Sequence, residues 1–104
     1  MGKSGSGGVK YFHRTSASPG QVLDAAKAFF GGRLTPAEES PRRRVYHGAL
    51  GRITISARAE GGHYTYVEVA TDQVGESELD KLAKRFLGEV HRVVEPTHVM
   101  RGAY

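Results

Sequence analysis

Hydrophobic and polar residues alternate most cleanly between Arg52 and Thr71, where Ile53, Ile55 and Ala57 are interleaved with Arg52, Thr54, Ser56 and Arg58. A period of two marks a strand with one buried and one wet side. Glu60-Gly61-Gly62 then predicts a tight connection, because glycine tolerates the backbone angles of a short turn. Val67 and Val69 alternate in turn with Tyr64, Tyr66 and Glu68. A loop over 60–62 sets Ile55 opposite Val67 and Ile53 opposite Val69, giving one aliphatic face. The other face then pairs Arg58 with Tyr64, Ser56 with Tyr66 and Thr54 with Glu68. A loop one residue longer or shorter would bring Ile55 against Glu68, a poorer solution.

The remaining pattern fills in on either side of this hairpin. Val9 to Thr15 reads as a first strand, although its two faces are not cleanly distinguished. Ser18-Pro19-Gly20-Gln21 carries a capping box with proline at the first helical position. The helix it opens places Val22, Ala26, Phe29 and Phe30 on one stripe with Leu23 at its shoulder, and Gly31-Gly32 predict its end. Thr35 to Pro41, with two prolines, reads as a loop; Arg42 to Leu50 reads as a strand, with Gly48 and Gly51 marking a turn or bulge. Leu79, Leu82, Ala83, Phe86, Val90, Val93 and Val94 recur at helical spacing, and Pro96 is expected to stop that helix.

The predicted order is therefore β-α-β-β-β-α. One apolar stripe per helix and one apolar face on the hairpin predict an α+β two-layer sandwich, an antiparallel sheet with both helices packed on one face. The element order resembles that of TBP-like and helix-grip folds. A ferredoxin-like arrangement is the alternative, with Thr97–Met100 as a last strand. Residues 1–8 read as a flexible Gly/Ser tail, 9–96 as a single domain, and 97–104 as a C-terminal tail or short edge strand.

Composition narrows function more by exclusion than by assignment. The 104 residues contain no cysteine, which removes disulfides, thiolate metal sites and cysteine nucleophiles. No run approaches the ~18 apolar residues of a membrane span, and no hydrophobic segment follows the N-terminal lysine as in a signal peptide. A soluble cytoplasmic protein is the expectation. The net charge of +4 favours acidic partners. Acidic residues at the start of the last helix and basic ones further along it match the helix dipole. The Arg42-Arg43-Arg44 run, Arg52, Arg58 and the basic N-terminal arm have no such structural reason.

Candidate chemistry is sparse. His13, His47, His63, His91 and His98 contain no H-x-x-x-H pair, and His47 is expected to face inward beside Val45 and Ala49. No carboxylate pair or serine context points to catalysis, so no catalytic residue, metal or cofactor is assigned. Gly48-Ala49-Leu50-Gly51 matches the GXXG of KH domains formally, but strand patterns flank it and a turn is the expectation. Phe29, Phe30 and Phe86 lining a small-ligand pocket is a third-ranked reading; aromatics at helical spacing are ordinarily core.

The polar face of the hairpin remains. Arg52, Thr54, Ser56, Arg58, Tyr64 and Tyr66 form an interaction face suited to a protein partner, foremost a second copy of the chain. The competing reading is nucleic acid, with Arg42, Arg43, Arg44, Arg52 and Arg58 meeting phosphates and tyrosines stacking on bases. Glu68 on that face, and the absence of an RNP-like aromatic signature, count against it.

Overall fold

The computed structural model describes residues 8–61 and 63–102, with side chains described as far as Arg92. Five strands and two helices follow in the order β1 (Val9–Thr15), α1 (Pro19–Phe30), β2 (Thr35–Glu39), β3 (Arg43–Gly48), β4 (Gly51–Glu60), β5 (Tyr64–Thr71) and α2 (Glu78–Gly102). The strands make one antiparallel sheet in the order β1-β5-β4-β3-β2. Both helices lie on the same side, α1 over β3 and β4 and α2 over β1 and β5. The two-layer α+β sandwich expected from the pattern is thus present, with one strand added.

Local chemistry starts α1 as the sequence predicts. Ser18 Oγ accepts from the Gln21 amide at 3.1 Å, and the Gln21 side chain accepts from the Ser18 amide at 2.8 Å. Between helices and sheet, Val22, Leu23, Ala26, Phe29 and Phe30 pack with Ile53, Ile55, Val67, Val69, Leu79, Phe86 and Val90. The rings of Phe29, Phe30 and Phe86 lie 4.8–5.9 Å apart, and Phe30 stacks on Tyr46 at 5.7 Å. These rings close on one another as packed core, the ordinary expectation for aromatics at helical spacing.

Five expectations are corrected. The β4–β5 loop is 61–63, not 60–62, so Ile55 pairs with Val69, Ile53 with Thr71, Arg58 with Tyr66, Ser56 with Glu68 and Thr54 with Ala70. Each partner moves by two residues, which leaves every side chain on its predicted face. The register is pinned at the far end of the hairpin. There Asp72 Oδ1 accepts from the Arg52 amide at 2.9 Å, and the Asp72 amide donates to the Arg52 carbonyl at 3.2 Å.

Thr35–Glu39, read as a loop, is the edge strand β2; its register slips at Ala37, between Pro36 and Glu38. Proline is tolerated there because an edge strand has one side free of ladder bonds. His47, expected inward, is exposed and pairs with Arg52 on the face away from the helices, because Tyr46 takes the inward position opposite Ile53. The last helix does not stop at Pro96 but runs to Gly102. A proline deletes one helical hydrogen bond, while the turns beyond it keep theirs. Thr97–Met100 is consequently helical, which removes both the edge strand and the ferredoxin-like alternative. The N-terminal tail lies outside the described residues apart from Gly8.

Gly48-Ala49-Leu50-Gly51 is a two-residue hairpin turn in which Gly48 pairs with Gly51. Gly51 has φ +127°, a region closed to other residues. Among the described residues, no helix is long and apolar enough to cross a membrane.

Candidate functional site: the open face of the sheet

The side of the sheet without helices is where side chains remain unaccounted for by the core. Register places Lys10, Phe12 and Arg14 of β1 there with Tyr64, Tyr66, Glu68 and Ala70 of β5. Next along come Arg52, Thr54, Ser56 and Arg58 of β4, then Arg43, Val45 and His47 of β3, and Glu38 of β2. The residues stand in cross-strand rows. One row runs Arg14, Tyr66, Arg58; the next runs Phe12, Glu68, Ser56, Arg43; a third runs Lys10, Ala70, Thr54, Val45, Glu38.

Tyr66 is the hub of the first two rows. Phe12 stacks against its ring with centroids 5.7 Å apart, and the Arg58 guanidinium lies 4.6 Å from the ring centroid. Such contacts are worth about 0.5–1.5 kcal/mol each at surface sites. They also hold the rings in place at the surface. Phe12 and Tyr64 nevertheless stay more than half exposed, at 56% and 55%.

Ion pairs cross the strands between these rings. Arg14 Nε sits 2.9 Å from Glu60, Arg43 bonds Glu38 through Nε at 3.2 Å and an Nη at 3.3 Å, and Lys10 lies 3.7 Å from Glu68. Arg42 and Arg58 make no ion pair among the described residues. Beside Tyr66 the face sinks into an open hollow of about 340 Å³. Arg42, Arg43 and Arg58 ring it, Ser40 and Ser56 contribute hydroxyls, and Glu38 and Glu68 supply the negative charge.

The predicted interaction residues are thus all on one face, though not in one place. Ser56, Arg58 and Tyr66 meet at the hollow, Thr54 lies in the row beyond, Tyr64 stands at the hairpin end, and Arg52 stands at the opposite end beside His47. Of the arginine run, Arg42 and Arg43 join the hollow. Arg44 does not: it shares the inward side of β3 with Tyr46, and its guanidinium donates to the Ser40 carbonyl. Reading the sequence missed Phe12, because β1 carries apolar residues on both of its sides and nothing local says which faces out. Lys10, Glu38 and Glu60 were missed for a related reason, since their roles depend on which strands become neighbours.

A second charged cluster lies on the helical side. The Asp80 carboxylate is fully buried; it accepts from the Tyr11 hydroxyl at 2.5 Å and the Glu76 amide at 2.8 Å, with Lys84 Nζ at 3.3 Å. The Tyr11 hydroxyl, then the Glu76 amide, hold the Asp80 carboxyl below the usual carboxylate range, and Asp80 in turn raises Tyr11 and Lys84. Glu76 at φ 71° enters the helix through this knot, and Ser77 Oγ accepts from the Asp80 amide at 3.1 Å. With every polar atom of the carboxylate engaged between β1 and α2, the cluster is a structural tie. Among the described residues, no group of three or more His, Asp or Glu side chains is placed to hold a metal ion.

No protein-family model matches the chain, and comparison with curated proteins and with solved structures returned no match.

Proposed function

We propose that the protein is an interaction module, not an enzyme, and that it self-associates through the open face of its sheet. The observation that carries this reading is exposed Phe12 stacked on partly buried Tyr66 beside a hollow, on a face bearing both signs of charge. Half-exposed aromatic rings flanked by arginine are the residue types that dominate protein–protein contacts. Two-fold pairing brings a patch against itself, so a patch must offer both partners of each contact. Lys10, Arg14, Arg43, Arg52 and Arg58 with Glu38, Glu60 and Glu68 satisfy that requirement. Tyr66→Ala removes the ring on which both Phe12 and Arg58 rest and is expected to dissociate the dimer. Light scattering after size exclusion, across a concentration series of wild type and variant, tests this. A wild type that is monomeric up to several hundred micromolar would sink the reading.

Nucleic acid is the second reading, supported by Arg58 against Tyr66 and Arg42 on the same hollow, neither with an ion-pair partner among the described residues. The three glutamates interrupt any continuous phosphate track, which is why it ranks second. Anisotropy of labelled single-stranded oligonucleotides at low and physiological salt separates the two. Micromolar binding that weakens steeply with salt, and weakens further in Arg43→Glu, would reverse the ranking.

A further inference from the structure

Knob and hole on this face stand on either side of one seam, and their positions define how two copies would meet. Phe12 on β1 and Arg43 on β3 occupy the same cross-strand row, with Glu68 and Ser56 between them. In the order β1-β5-β4-β3-β2, a two-fold axis parallel to the strands and above the β5–β4 seam exchanges β5 with β4 and β1 with β3. Such an axis keeps every residue at its own height along the strands. It therefore carries Phe12 of one copy over Arg43 and the hollow of the other.

We infer that Phe12 is the anchor of the self-association and that its occupant site is the partner's hollow ringed by Arg42, Arg43 and Arg58. This rests on the self-association proposed above and adds its geometry. Three features agree with it. Phe12 is the large apolar side chain most exposed on the sheet's open side, at 56%, whereas the hollow has the small side chain of Ser56 in the same row as Phe12. Guanidinium groups lining the hollow present the faces on which an aromatic ring stacks. The same axis sets Tyr66 over Arg58 of the second copy and brings Lys10 over Val45, next to Glu38 in its row. Sheets packed face to face lie ~10 Å apart, a gap filled by interdigitating side chains of this kind.

The absence of cysteine makes the arrangement directly testable by pairing new thiols. Within one chain, residues 12 and 43 are three strands apart, about 14 Å at ~4.8 Å per strand. A direct disulfide needs Cα atoms within ~7 Å, closer than facing sheets ~10 Å apart bring them. The two thiols are therefore joined by a short bifunctional thiol reagent that spans the gap between sheets but not the three strands within one. The double variant Phe12→Cys/Arg43→Cys, held above the dissociation constant measured for Phe12→Ser so that the weakened dimer is still populated, is expected to form a covalent dimer with that reagent. Each single variant is expected to stay uncrosslinked, and Phe12→Ser to raise the dimer dissociation constant at least tenfold. Circular dichroism confirms that each variant is folded, and both positions are exposed. A wild type that never dimerises defeats the underlying reading. A wild type that dimerises while the double variant fails to crosslink, or while Phe12→Cys crosslinks alone, overturns this arrangement and leaves self-association standing.

Discussion

Replacing Tyr46 by phenylalanine should make the protein more stable. Tyr46 is fully buried between β3 and α1, and its hydroxyl has no hydrogen-bond partner among the described residues. Burial raises its pKa, the direction expected of a phenol deprived of solvent. A hydroxyl taken from water into a protein interior without a partner costs about 1–3 kcal/mol by mutational measures. Tyr46→Phe deletes only the oxygen. The ring keeps its stack on Phe30 at 5.7 Å and its place opposite Ile53, so the packing loss is one atom's contacts. The expected gain is about 1–2 kcal/mol, toward the lower part of that cost because the departed oxygen leaves a small void. For a domain of this size, 1 kcal/mol moves the melting midpoint by roughly 4–8 °C. Urea unfolding with an unchanged slope and a raised midpoint would report it. A loss of more than ~0.5 kcal/mol would refute the reasoning, since it would mean the hydroxyl has a partner in solution, such as a buried water.

Two more outcomes follow from the same structure. Gly51→Ala combines φ +127° with a Cβ that would stand 2.7 Å from both Asp72 Oδ1 and Gln73 Nε2, and should cost roughly 1–3 kcal/mol in chemical denaturation. Unaltered stability would show that the turn and the Arg52–Asp72 clamp relax together. Asp80 predicts a pH window. Its lowered pKa contributes stability that is present above the ordinary aspartate value near 3.9 and lost as pH falls through the lower folded value. Raised Tyr11 and Lys84 contribute stability present below their ordinary values, lost as pH rises through the higher folded ones. Asp80→Asn should flatten the acid limb of a stability–pH profile, and an unchanged limb would remove Asp80 from the account.

What local chemistry controls was legible in the chain. The Ser18–Gln21 capping box involves residues three apart, so sequence neighbours decide it. The apolar stripe of α2 through Phe86 and Val90, and the parity of β4 and β5, follow from periods of 3.6 and 2 that any burying partner would enforce. Parity fixes a strand's face but not its register, because a shift of two residues preserves it. The Arg52–Asp72 clamp, formed between residues 20 apart, supplied the rest. Thr35–Glu39 carries a proline and two carboxylates that look like a loop; only an edge position beside β3 makes a strand of it. Strand order lies in neither propensity nor pattern. By seating β1 beside β5, the tertiary structure turned Phe12 outward onto Tyr66 and aligned it in one row with Arg43. A surface feature assembled from four strands exists only once those strands have neighbours, whereas each strand's buried side is set by its own residues.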